Sequence, residues 1–197
     1  MTEPDEVLVR RFNEGDREAF GLLVERHERR VYNLAFRMLG KEEDARDATQ
    51  DAFVAALRKL GGFRGEARFT TWMHRVTVNA CYDLLRKQAR QPMLRLVGEE
   101  DEHAPEPGLP VEDHGDEVAG TTDVERALAE VPIEFRAVLV LHDLQDVAYD
   151  EIARILDVPV GTVKSRLHRG RIALAKAMGL SPAGEHGDPA RASERKS

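Results

Sequence analysis

One cysteine in 197 residues, Cys81, excludes an intramolecular disulfide and any cysteine-rich zinc site. The reading left for it is a buried thiol in a helix. The seven histidines are scattered, with no close pair plus acid at helical spacing, so no metal site is expected. Apolar residues never run to the roughly 20 that a membrane-spanning helix requires, which predicts no membrane insertion. The start, Met1 to Glu6, is acidic and lacks the basic and then apolar order of a secretory signal. The chain is therefore expected in the cytoplasm. A nucleophile paired with a base and a Gly-rich phosphate loop are both missing, so neither an enzyme nor a cofactor is expected.

What is present is an uneven charge. The formal net charge of -7 argues against a nucleic-acid partner until its distribution is read. Between Glu99 and Asp123 stand ten acids and no Lys or Arg, and setting them aside leaves the remainder at +3. The same stretch holds Pro105, Pro107, Pro110, Gly108, Gly115 and Gly120 without a hydrophobic period, so it cannot repay its ordering entropy with a core. It reads as an acidic, flexible linker over 96–122, joining a domain at 1–95 to one at 123–178, with a disordered tail at 179–197.

Apolar spacing defines the elements. Phe20, Leu23, Val24, His27, Val31, Leu34, Ala35 and Met38 recur at steps of three and four, with Asp16 placed as a cap and Gly40 as a stop. A helix over 41–60 carries Ala45, Ala48, Ala52, Phe53, Ala56, Leu57 and Leu60 on one face, and Gly61 and Gly62 end it. After the loop Phe63 to Phe69, Thr70 or Thr71 caps a helix reaching about Arg90, with Trp72, Val76, Ala80 and Leu84 as its buried stripe. A weaker helix around Val7 to Phe12 completes a bundle. Beyond the linker, a helix to Val131, a break at Pro132, and a segment through Leu141 precede short helices over 149–156 and 159–178. No alternating β pattern occurs, so the fold class is all-α, two small helical domains.

The two short helices, with Asp157-Val158 between them and five Lys/Arg but no acid from Val158 to Met178, have the spacing of a helix-turn-helix. Ile152, Ala153, Leu156, Val163 and Leu167 knit them together, and Pro159 suits a first helical turn. Lys164, Ser165, His168 and Arg169 share the face away from Val163, Leu167, Leu174 and Met178, where they can reach phosphates or guanine edges. Thr162 lies in the helix start, which suits a backbone phosphate.

Phe63 to Arg95 carries a net +5. Arg75, Asn79, Tyr82 and Arg86 align opposite the buried stripe, and cations, an amide and a ring on one face suit melted nucleic acid. Trp72 and Phe69 fit a core better than a stacking platform. Asp44, Asp47 and Asp51, flanked by Glu43 and Gln50, form either a solvated row or a docking surface for a basic protein.

Taken in order, Gly15 to Phe20, Asp44 to Phe53, Phe63 to Trp72, Val78-Asn79 and Pro159 to Arg166 closely resemble the extracytoplasmic-function (ECF) sigma factors, the smallest class of the bacterial sigma-70 family. The resemblance runs from about Val7 to Met178. It implies a region 2-like domain at 1–95 and a region 4-like domain at 123–178, in a factor that binds core RNA polymerase and recognises the −35 and −10 promoter elements. Asp44, Asp47, Gln50 and Asp51 would meet the clamp helices of the β′ subunit, with the β subunit as a further partner. Arg64, Gly65, Glu66, Ala67, Arg68 and Phe69, with Asn79 beside them, would capture a flipped non-template base of the melted −10 element, alongside Arg75, Tyr82 and Arg86. Thr162, Lys164, Ser165, Arg166, His168 and Arg169 would read duplex DNA at −35. The linker would lie near the polymerase active site, and an anti-sigma factor would restrain the protein. His168 stands where many members carry a larger aromatic or aliphatic residue, and the linker is more acidic than is usual. A helix-turn-helix regulator that acts without polymerase is the alternative, but it leaves Asp44 to Asn79 idle.

Overall fold

A computed structural model describes residues 3–63, 65, 67–95 and 122–180, and among these every regular element is helical. Of the linker expected over 96–122 and the tail expected over 179–197, residues 96–121 and 181–197 lie outside the described residues, as do Arg64 and Glu66 of the loop. The first unit comprises α1 (Asp5–Asn13), α2 (Glu18–Leu39), α3 (Glu42–Lys59), a 3-10 turn (Leu60–Gly62) and α4 (Phe69–Arg95). The second comprises α5 (Asp123–Glu130), α6 (Ile133–Leu139), a π turn (Val140–Leu144), α7 (Tyr149–Leu156) and α8 (Val160–Ala177).

Helix α2 begins at Glu18, whose backbone N–H donates to the Asp16 carboxylate at 3.0 Å. It ends at Gly40, where φ is +77° and the N–H returns to the Phe36 carbonyl. That left-handed position favours glycine. Its buried residues, Leu23, His27, Val31, Leu34, Ala35 and Met38, follow the spacing read from the sequence. Helix α3 buries Ala45, Ala48, Ala52 and Ala56 completely, so small side chains let it approach α2 and α4 closely. Phe53 is half-buried and packs on the edge of the core, whereas Leu57 does not belong to the buried face. At 100° per residue they fall to one side of the alanine row, and Leu57 is 41% exposed.

Helix α4 starts at Phe69 rather than after a threonine cap, and the Thr71 hydroxyl donates to Glu151 of α7 at 3.2 Å. It is buried on more than the expected stripe. Met73, His74, Thr77, Val78 and Cys81 are enclosed together with Val76 and Ala80, because α2 and α3 cover one side and α7 another. Burial pushes the Cys81 thiol up to about 12, which leaves it protonated and unreactive.

The two units share a core. Leu34, Ala35, Met38, Val78 and Cys81 join Leu128, Val131, Val138, Leu141, Ile152 and Val163 in one buried cluster. Arg136 spans the junction: its guanidinium donates to the Met38 carbonyl of α2 at 2.5 Å and to the Ala129 and Val131 carbonyls beside it. Within the second unit, Thr122 and Glu125 form a reciprocal cap at the start of α5. Asp157, at φ +53°, makes the turn between α7 and α8, a conformation that Asp tolerates better than most residues. Met178, expected on the packed face of α8, is 39% exposed, one residue past the helix end.

Candidate polymerase and nucleic-acid interfaces

The acids of α3 share one side of the helix but differ in their local partners. The Asp44 carboxylate accepts a hydrogen bond from Gln88 of α4 at 2.8 Å, and Asp51 stands 3.6 Å from Lys87 of the same helix. Asp47 is exposed, and Gln50 turns the other way, toward α2. There it lines a groove of about 700 Å³ with Phe20, Tyr32, Phe53, Val54 and Leu57. The sequence reading assigned Phe53 and Leu57 to the core and so missed this apolar strip beside Gln50.

The loop and α4 form a second region. Gly65 (φ +71°) and Arg68 are exposed, and Ala67 is half-buried. Phe69 is 2% exposed, which makes it a peg under the loop rather than a surface ring. It packs on Phe63, Trp72 and His27, with ring centroids 6.1, 5.6 and 5.1 Å away. Ala67, Trp72 and Arg75 line a pocket of about 630 Å³ whose far wall is Arg154, Ile155 and Asp157 of the second unit. Asn79 and Arg86 are exposed along a groove between α3 and α4 that also holds Arg58, Lys59, Lys87 and Arg90. Arg58 and Lys59 precede Gly61-Gly62 and so fell outside the basic stretch counted from Phe63. Tyr82 is half-buried; burial raises its phenol above the ordinary value, and the Arg166 charge of α8 partly offsets this.

The third region is α8. Lys164, Ser165, His168 and Arg169 are exposed, and Thr162 is half-buried in the first turn. The Lys164 ammonium lies 5.9 Å from the Tyr149 ring centroid, and the Ser165 hydroxyl donates to the Thr162 carbonyl. Arg166 leaves this face, half-buried on the side toward Tyr82. Arg171 is held by Asp143 at 2.7 Å, and that contact keeps the Asp143 carboxyl below the usual carboxylate range. Among the described residues no cluster of three or more His, Cys, Asp or Glu could hold a metal ion. None of the described helices is long and apolar enough to cross a membrane.

Residues 23–91 match the sigma-70 region 2 family and residues 121–174 the sigma-70 region 4 family. The chain is 41% identical over 165 residues to the ECF RNA polymerase sigma factor SigM of Mycobacterium tuberculosis, covering 84% of this chain and 80% of that protein. The chain belongs to the ECF sigma factors of the sigma-70 family. This ECF sigma factor is also 37% identical over 176 residues to the ECF sigma-E factor of Escherichia coli, covering 86% of this chain and 92% of that relative. Among solved structures, CnrH in complex with the cytosolic domain of CnrY matches with a TM-score of 0.63 and 26% identity, over 90% of this chain and 98% of that one. The sigma factor RpoE of Bartonella quintana shares the fold at the same TM-score, with 22% identity over 82% of this chain and 98% of that one.

Proposed function

We propose that this ECF sigma factor joins core RNA polymerase through α3, reads the −35 element as duplex with α8, and holds the non-template strand of a melted −10 element with α4 and the loop before it. The observation that carries the reading is the division of labour on the surface. Exposed cations stand on α8 of one unit and on α4 of the other, while α3 offers an exposed acid beside an apolar groove. A single duplex-binding face has no need of the second and third.

In this reading Asp44, Asp47, Gln50 and Asp51 face the basic β′ clamp helices, and Phe53 and Leu57 add apolar contact. Gly65, Ala67, Arg68, Arg75 and Asn79, with Arg64 and Glu66, form the base trap that Phe69 supports from beneath. Arg86, Arg58 and Lys59 meet phosphates, and Tyr82 becomes available once α8 withdraws. Thr162, Lys164, Ser165, His168 and Arg169 contact the −35 duplex directly, with Arg166 joining them after the same withdrawal. Residues 1–95 and 123–178 are the working domains, joined by the acidic segment 96–122, with 179–197 as a tail. The protein works in the cytoplasm and without catalysis, and an anti-sigma factor is its restraining partner, a pairing seen in the sigma factor RpoE of Bartonella quintana, which was solved in complex with the anti-sigma factor NepR.

The test is run-off transcription with purified core polymerase, together with pull-down of core by the Asp47→Lys, Asp51→Lys double variant. Charge reversal against a basic partner is expected to weaken core binding by on the order of 2 to 5 kcal/mol while circular dichroism stays normal, because both side chains are exposed. Core binding that survives the double reversal removes the docking assignment.

A further inference from the structure

Helix α2 carries cations that the functions above leave unused. Arg26, Arg30, Asn33 and Arg37 recur at steps of four, three and four. At 100° per residue they fall within about 60° of one another, one polar group roughly every turn, or about 5.4 Å. They line a cleft of about 500 Å³ that carries no acid, flanked by Leu144 and Gln145 of the π turn. Arg26 is tied to Asp5 at 2.5 Å. Neither Arg30 nor Arg37 has an acid within 4.0 Å among the described residues, and Arg29, which also lines the cleft, has none there either.

The row lies next to the proposed base trap. His27, one residue from Arg26, packs on Phe69, the peg beneath the loop. Arg86 and Arg90 sit toward the opposite end of α4, the end from which the chain continues toward the −35 reader. A strand entering beside Arg86, passing Asn79 and leaving a base in the loop therefore emerges beside α2.

We infer that the arginine row of α2 is a second phosphate track, binding the single non-template strand on the downstream, 3′ side of the captured base. The inference rests on the base-capture reading given above. A phosphodiester strand fits the row because it presents regularly spaced anions and demands no apolar contact. The row offers two unpaired guanidiniums, Arg30 and Arg37, with the Asn33 amide between them, and, apart from Leu144 at its rim, little apolar surface. Guanidiniums bind phosphate oxygens in a planar, two-pronged geometry.

The experiment uses holoenzyme reconstituted from core polymerase and the full chain, with two forked promoter templates. In one the non-template strand ends just past the base to be captured; in the other it runs on by about six nucleotides, a length within single-strand site sizes. The wild-type protein is expected to bind the longer fork about tenfold more tightly. The Arg30→Ala, Arg37→Ala double variant should bind the short fork as wild type does and lose the gain from extension. Its salt slope on the long fork should fall by about 1.4, or 0.7 for each of two single-strand phosphates released. Asn79→Ala should weaken the short fork, and its failure to do so would overturn the base trap without touching the track. An extension gain that persists in the arginine double variant overturns the track. So does a matching loss of core affinity in that variant, which would make the row a protein-docking face.

Discussion

His74 shows how a single side chain can set a pH limit. It is 6% exposed, and neither ring nitrogen has a hydrogen-bonding partner among the described residues. Burial, helped by the nearby Arg30 charge and by His27, pulls its pKa down to about 4 from 6.5. His27 is also lowered by burial, against the pull of Asp5 at 2.9 Å, with Arg30 and Arg26 adding to the lowering. The unfolded chain takes up these protons first. Stability is therefore complete above about pH 6.5 and lost as pH falls from there toward 4, by roughly 1.4 kcal/mol from His74 alone at pH 5.5. Urea titrations at pH 7.5 and 5.5 should show that loss in the wild type. In His74→Leu, which keeps the volume and removes the titration, the difference should shrink by about that amount. An equal loss in both proteins would mean that the imidazole is hydrated in the native state.

Packing between helices is decided at close approaches, and one of them is that of α8 on α6. A Cβ added to Gly170 would lie 2.9 Å from the Leu139 Cγ and 3.3 Å from the Phe135 carbonyl oxygen. Leu139 is 2% exposed and has nowhere to move. The gain in helix propensity of about 0.8 to 1 kcal/mol is thus outweighed by overpacking of about 1 to 3 kcal/mol. Gly170→Ala should destabilise the second unit and weaken −35 footprints, with core binding retained. Leu139→Ala should cost less in the Gly170→Ala background than on its own, and a double-mutant cycle measures that coupling. The spacing of Leu23 to Met38 and of Ala45 to Leu60 was enough to place α2 and α3, because in each the buried side chains fall on one continuous stripe. It failed at Leu57, which flanks the stripe so closely that periodicity alone cannot separate core from groove. It also missed Arg58 and Lys59, whose relevance depends on α4 lying alongside. Arg136 reads as an ordinary surface cation on a short helix. Its bond to Met38 spans 98 residues, and no local pattern records a contact at that separation.

Across the whole molecule, the cluster that joins Met38 and Cys81 to Leu128 and Ile152 makes the two units one cooperative body. Trp72, the only tryptophan, reports on the first unit, whereas circular dichroism reports on both. In the wild type the two urea transitions should coincide. Arg136→Ala removes a half-buried guanidinium and its bonds to three carbonyls, at roughly 1.5 to 3 kcal/mol for a charged donor. In that variant the dichroism change should begin at lower urea than the Trp72 change, as the second unit loosens first; transitions that stay superimposed would show the junction to be incidental. The packed arrangement sets Arg166 toward Tyr82 and α7 against the pocket beside the loop, so under the proposed function the strand-holding face and the duplex-reading face become usable together only after the units part. In that proposal a productive encounter begins from an opened form, and the expected affinity for polymerase is the intrinsic one scaled by the open fraction. Interior positions such as Leu128 and Val131, which touch neither polymerase nor promoter, thereby become volume controls on gene expression. A methylene lost there raises output at the expense of heat tolerance, and selection has to balance the two in the same few side chains.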